Sequence, residues 1–420
     1  MRVLGIIAEY NPFHFGHLYH LKKSKQEANA DYTIAVISGQ FTQRGESAIV
    51  DKWIRAEAAV GSGVDLVLEL PAVYAVQTAE LFAYGGVQML NHTGLTTHIS
   101  FGAEVADLPL LKQIAGILVA EQEEYIELLK AYLDQGLSYP AARYRGILDY
   151  INKQACMEDV STVKKALSGS NSILAIEYLK ALKHTQSNIT PIVIPRIRSS
   201  YTTPSIKKGI ASATAIRKEI LSHGMTRRVR DALPKTTFKL LSKAFENGMG
   251  PVDNHRLEDL ILGILRRSKS TEIASWLDVG EGLENRIKDQ AQRAAGLDEL
   301  LALVKTRRYT HTRLQRILIH GLLNLTADDF QEFSQATGPC YLRILAFSQN
   351  AAPLLKRLKQ TARVPVITKA AHVSRYHSSV QKMFAYDCIA TDLYGLTMKN
   401  PVFRQGGRDF TQQLEPVIVS

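Results

Sequence analysis

Ala8-Glu9-Tyr10-Asn11-Pro12-Phe13-His14-Phe15-Gly16-His17 is the stretch on which the reading of this chain turns. It follows a short continuous apolar run, residues 3–8, and precedes a helical pattern over residues 16–30. It therefore reads as the turn between a buried parallel strand and its crossover helix. In an open α/β sheet that turn lies at the carboxyl edge, where ligands bind. Gly16 allows close approach of a ligand to the backbone, and the helix N-terminus behind it favours phosphate. His14 and His17 are three residues apart, so both imidazoles share one side of the helix start. Two donors there answer the negative charge that develops on phosphate oxygens during nucleotidyl transfer. Read in isolation, the pair is half a metal site or two surface histidines. No cysteine lies near, however, and the zinc-peptidase pattern H-E-x-x-H is absent, so no protein metal site is expected.

Further strands are expected at 32–37, 65–70, 98–102 and 192–194, with helices over 52–61, 77–92, 106–135 and 171–182. Such alternation predicts a Rossmann-like α/β fold with a parallel sheet. Beyond about residue 235 the periodic segments read as helical. The expected organisation is a nucleotide-binding catalytic domain over 1–230 and a mainly α-helical basic domain over 231–420.

With 420 residues the chain has room for roughly two or three domains. Its core needs no disulfide or zinc staple. Hydrophobic and charged fractions of 45% and 22% exclude wholesale disorder. Cys156, Cys340 and Cys388 lie far apart and form no CxxC pair. Residues 3–8 are too few for a signal peptide, and no later run reaches about 18 apolar residues, so a cytoplasmic, membrane-free protein is expected. The net charge of +11 is unevenly held: residues 1–200 carry 18 Lys/Arg against 20 Asp/Glu, and residues 201–420 carry 33 against 20. Two readings of the basic half stand, a surface that meets nucleic acid or one that aids solubility.

The run Asn11-Pro12-Phe13-His14-Phe15-Gly16-His17 resembles the (T/H)-x-G-H "HIGH" signature of the nucleotidyltransferase superfamily, which includes adenylyltransferases, cytidylyltransferases and class I tRNA synthetases. More narrowly, the chain resembles the bacterial tRNA(Met) cytidine acetate ligase family. That resemblance is carried by residues 8–18, 38–45 (SGQFTQRG), 65–71 (DLVLELP), Phe101-Gly102 with Glu104, 210–217, 312–318 (TRLQRIL) and 390–394 (ATDLY). It implies a two-step ligase: ATP activates acetate as acetyl-adenylate, and the wobble cytidine of elongator tRNA(Met) takes the acetyl group to give N4-acetylcytidine. It also implies His14 and His17 as catalytic residues and Mg2+ accompanying the nucleotide. ATP would be held by Ile7, Ala8, Glu9, Tyr10, Asn11, Pro12, Phe13, His14, Phe15, Gly16, His17, Leu18, Tyr19 and His20, with Gly102, Asn171 and Arg196. Phe15, Ser170 and Ser172 depart from the family's pattern.

Several residues keep two readings. Asn171 is an N-cap or a nucleotide contact, and either Arg196 or Arg198 meets the nucleotide. Ser212, Thr214 and Arg217 resemble the superfamily's second signature and are phosphate contacts, although capping alone also explains Ser212. Gln43-Arg44-Gly45 reads as a mobile loop that closes over the triphosphate or grips RNA. Arg307, Arg308, Arg313 and Arg316, with Tyr309 as a stacking aromatic, are expected to meet tRNA, as are Arg227, Arg228, Arg230, Lys235, Lys239 and Lys243. Two other functions remain open from sequence, a small-molecule adenylyl- or cytidylyltransferase and a non-catalytic RNA-binding factor.

Overall fold

A strand with apolar side chains on both faces is stable only where both faces are covered. The computed structural model, which describes residues 1–153, 160–196, 211–335 and 338–417, has that arrangement. Strands β1 (Val3–Ala8), β2 (Tyr32–Ser38), β3 (Leu66–Leu70), β4 (His98–Ala103) and β5 (Thr190–Pro195) run parallel in the order β5-β4-β1-β2-β3. Alternate residues enter opposite cores. Val3, Ile7, Val36 and Leu68 share one with Val87 and Leu90 of helix Ala79–Thr93 and Ala175 of helix Ser170–His184. Leu4, Ile6, Ala35 and Val67 share the other with Leu21 and Ala28 of α1 (Phe15–Ala28) and Ala56 and Val60 of α2 (Lys52–Val60). The chain leaves β1 for β2 on one side and later places β4 on the other, so a crevice opens between the ends of β1 and β4.

The helical stretch expected over 106–135 is two helices, Leu108–Ala120 and Glu123–Asp134, broken where Glu121 takes a left-handed φ of 44°. Helices dominate from Ala213 to Gln335. Residues 342–417 then add strands to the mainly α-helical second half that was expected. β6 (Leu342–Ser348) pairs antiparallel with β3, and β7 (Val366–Ile367) and β8 (Pro416–Val417) pair with β6. The run Leu342-Arg343-Ile344-Leu345-Ala346-Phe347 is nearly continuous apolar sequence of the same kind as β1, and that was the available signal. One sheet thus crosses the boundary expected near residue 230.

A buried charge network fastens this return. Lys52 Nζ lies 2.7 Å from Glu69 Oε1 and 2.8 Å from Asp409 Oδ1, while Arg343 lies 3.0 Å from Glu69 and 2.6 Å from Asp409. Burial pushes the Asp409 carboxyl up, but the two cations outweigh it and hold it at about 2. No helix among the described residues is long and apolar enough to cross a membrane.

Candidate nucleotide site

The turn after β1 is fixed by partners from three directions. Tyr10 takes a left-handed φ of 47°, which costs a non-glycine residue on the order of 1 kcal/mol. The buried Arg55 guanidinium donates to the carbonyls of Glu9 (2.8 Å), Ser38 (3.0 Å) and Val50 (3.1 Å) and also to that of Gly39. Ile49 N–H donates to Asn11 Oδ1 at 2.8 Å, and Arg217 donates to the Asn11 carbonyl at 3.0 Å. Arg55 was missed in the sequence because an arginine in a helical pattern reads as solvated.

His14 is the N-cap of α1 and makes a capping box with His17 instead of the usual Ser/Glu pair. His14 Nδ1 accepts from Gly16 N–H at 2.9 Å, and His17 Nδ1 accepts from His14 N–H at 3.3 Å. The rings stack with centroids 3.8 Å apart. With both Nδ1 atoms accepting, a neutral imidazole must carry its proton on Nε2. Burial first, then Arg196 and Arg217, lower His14 to about 3. Burial first, then the neighbouring His14, His20 and Arg196, hold His17 well below the ordinary imidazole value against the opposing pull of the Pro12 carbonyl. His20, one turn on, is lowered to about 4 by burial and Arg196, and its Nε2 lies 3.2 Å from Ser100 Oγ. These histidines are neutral donors, not cations. The Tyr10 hydroxyl and Asn11 Nδ2 in the same turn are buried without hydrogen-bond partners.

Across the crevice, Gly102, Asn171 and Arg196 come together. A Cβ at Gly102 would lie 3.3 Å from Arg196 Cγ, and Arg196 donates to Asn171 Oδ1 at 2.5 Å. The cap of helix Ser170–His184 is Gly169, so Asn171 lies inside the first turn and the capping alternative does not hold. Arg196 acts electrostatically on His14, His17 and His20. Residues 197–210, Arg198 among them, lie outside the described residues.

Ser212 caps helix Ala213–His223 by accepting from Ala215 N–H at 3.2 Å, and Thr214 is exposed. Besides Asn11, Arg217 binds Glu46 Oε2 at 3.0 Å. Gln43-Arg44-Gly45, expected to be a mobile loop, lies in a turn over residues 42–47 that several hydrogen bonds hold. Gln43 N–H donates to Glu9 Oε1 at 3.0 Å, Asn254 Nδ2 donates to the Gly45 carbonyl at 3.1 Å, and Ser47 N–H donates to Asn254 Oδ1 at 2.7 Å. Gly45, with φ of 75°, abuts the backbone of helix His311–Leu323: a Cβ there would lie 2.6 Å from Arg316 N. The Arg44 side chain is exposed.

The four expected RNA-contacting arginines do not form one surface. Arg307 is exposed, and so is Arg308, which is paired with Glu281 at 2.8 Å. Arg313 is half-buried over the Tyr309 ring, and Arg316 is buried 3.8 Å from Asp278. Tyr309 is itself buried beneath Arg313, so it offers no open face to a base.

A parallel sheet with two stacked histidines opening the first crossover helix defines the class. The family description "HIGH Nucleotidyl Transferase" matches residues 1–409. Proteins named tRNA(Met) cytidine acetate ligase from Acetivibrio thermocellus and Thermoanaerobacter sp. (strain X514) are 42% and 44% identical, each match covering 99% of both chains. The crystal structure of Thermotoga maritima TmcAL bound with alpha-thio ATP is 33% identical, covers both chains fully and superposes with a TM-score of 0.92; its apo form gives 34% and 0.94. The chain belongs to the tRNA(Met) cytidine acetate ligase family.

Proposed function

We propose that this protein is an ATP-dependent ligase that activates acetate as acetyl-adenylate and acetylates the wobble cytidine of elongator tRNA(Met) to N4-acetylcytidine. The observation that carries the reading is the neutral histidine pair at the start of α1, facing the Asn171–Arg196 pair across the β1/β4 crevice, in a chain related over its whole length to these ligases. An acetate oxygen attacks the α-phosphorus and pyrophosphate leaves. The cytidine amine then attacks the acetyl carbon, AMP leaves, and the nitrogen loses a proton. The residues of this chain supply position and charge stabilisation. The Nε2–H groups of His14 and His17 and the α1 N-terminus donate to phosphate oxygens, and the Arg196 guanidinium supplies countercharge. Residues 7–20 with Gly102 shape the nucleotide cradle, where the unpartnered Tyr10 hydroxyl and Asn11 amide offer further donors.

Among the described residues no group of three His, Cys, Asp or Glu side chains could hold a metal ion. Mg2+ is assigned to the nucleotide as counter-ion, held chiefly by the phosphates. We assign nucleotide chemistry to residues 1–230 and RNA docking to 231–420, with Arg307, Arg308 and the exposed Lys235, Lys239 and Lys243 on the RNA side. The cytoplasm, where ATP and tRNA reside, is the proposed location. The test is exchange of labelled pyrophosphate into ATP by the purified protein. Exchange that requires acetate supports the acyl-adenylate step, and label from acetate should then enter the tRNA. Silence with acetate, both with and without bulk tRNA, would overturn the reading.

A further inference from the structure

Glu104, just past β4, gives both carboxylate oxygens to the first turn of helix Ser170–His184. Oε1 accepts from Asn171 Nδ2 at 2.6 Å and from Asn171 N–H at 3.3 Å. Oε2 accepts from Ser172 N–H at 2.8 Å and from the Ser172 hydroxyl at 3.0 Å. That hydroxyl in turn accepts from the backbone N–H groups of Glu104 (3.1 Å) and Val105 (3.3 Å), so strand end and helix hold each other in register. A Cβ at Gly169 would stand 2.6 Å from Oε2, so the carboxylate fills the place a cap side chain would take. Burial raises the Glu104 carboxyl, but the bonds from Asn171 and Ser172 outweigh it and keep it ionised. A carboxylate only accepts, so it selects the NH2 end of the Asn171 amide. The amide oxygen is then left facing out, where it accepts from Arg196 at 2.5 Å.

We propose that Glu104 is a positioning residue of the nucleotide site: it fixes which end of the Asn171 amide faces out, and through that amide it holds the Arg196 guanidinium toward the histidine pair. The proposal rests on the assignment of Asn171 and Arg196 to ATP. In Glu104→Gln the introduced amide must turn its NH2 toward either the Asn171 NH2 or the Ser172 N–H, donor against donor. Loss of a charge-assisted hydrogen bond at this position is expected to raise the KM for ATP about tenfold in pyrophosphate exchange, with a smaller change in kcat. Adding Asn171→Asp restores the side-chain polarities and leaves only the longer 3.3 Å contact with the residue 171 N–H opposed. The introduced NH2 then meets a carboxylate oxygen, its own oxygen accepts from Ser172, and the second carboxylate oxygen accepts from Arg196. The double variant should recover most of the lost ATP affinity. A helix cap alone would lower Tm and leave KM unmoved; that result overturns the proposal, as does a double variant no better than Glu104→Gln. Arg196→Ala separates the two levels. If it weakens ATP binding while Glu104→Gln does not, Glu104 has no positioning role; if it leaves ATP binding unchanged, the ATP assignment falls and the proposal with it.

Discussion

Arg196 stands exposed at the end of β5 with a neutral asparagine for its partner, whereas Glu69 at the end of β3 is buried with Lys52 2.7 Å and Arg343 3.0 Å away. Both clusters lie at the carboxyl edge of one sheet, and both are rich in ionisable groups. The β3 cluster sets two cations against two carboxylates, Glu69 and Asp409, so its charges balance within the protein. At the β1/β4 crevice Arg196 is paired with a neutral amide, the histidines are neutral, and two buried donors have no acceptor. Neutral histidines and an arginine without a carboxylate partner, more than the density of charge, distinguish the proposed binding site from the joint.

If that contrast is right, breaking the joint should cost stability and spare the chemistry. Lys52→Met leaves Glu69 and Asp409 to share Arg343. Breaking a buried ion pair from one side costs on the order of 3–5 kcal/mol, here read by urea denaturation. Pyrophosphate exchange per folded molecule should stay at the wild-type rate. A rate that falls with stability would mean that the two ends of the sheet are coupled, and the contrast would fail.

At the crevice the balance should reverse, and His17 allows its two tasks to be separated. Asn places an oxygen near the position of Nδ1, so His17→Asn keeps the bond from His14 N–H and loses the outward donor. Exchange should drop about 10²–10³-fold, the usual effect of removing one donor to developing charge, with little change in Tm. His17→Gln keeps an N–H near Nε2 and loses the box. It should lose about 1 kcal/mol of stability and retain more activity than the Asn variant. The opposite ranking in exchange would make His17 a cap and nothing more.

The contrast also explains which features are legible in the sequence alone. β1 to β5, α1 and the histidine pair were legible because each depends on local pattern: continuous apolar runs, a turn, a spacing of three. The meeting of Gly102, Asn171 and Arg196 came from family resemblance, since residues so far apart in sequence share no local signal. The three-strand return of residues 342–417 was written in an apolar run like that of β1, yet its helical neighbours hid it. Lys52, Arg55, Arg313 and Arg316 illustrate a deeper limit. A charged residue in a helical pattern reads as solvated, and only tertiary partners such as the Glu9 carbonyl or Asp409 reveal that it is inside. Glu104 and Ser172 escaped for the same reason, one as an unassigned acid and the other as a departure from pattern.

Acid titration should sharpen the contrast furthest, with the smallest effects, because the two regions carry slopes of opposite sign. An imidazole in the unfolded chain titrates near 6.5, and His14 and His20 in the folded protein are lowered to about 3 and about 4 by burial and Arg196. Between those values the unfolded chain binds more protons, so each histidine's contribution is complete above pH 6.5 and is lost as the pH falls below it. Asp387, on the joint side, is raised by burial and Glu69 to about 7 and accepts from Ala72 N–H at 2.7 Å. Its folded form holds the extra proton, so its contribution grows as the pH falls through 7. Each group is worth about 1.4 kcal/mol per pH unit within its window. Urea titrations between pH 6.5 and 5.5 should show His20→Gln flattening the acid slope by about that amount and Asp387→Asn steepening it. Slopes that move in the same direction would show that the two ends of the sheet are electrostatically alike after all.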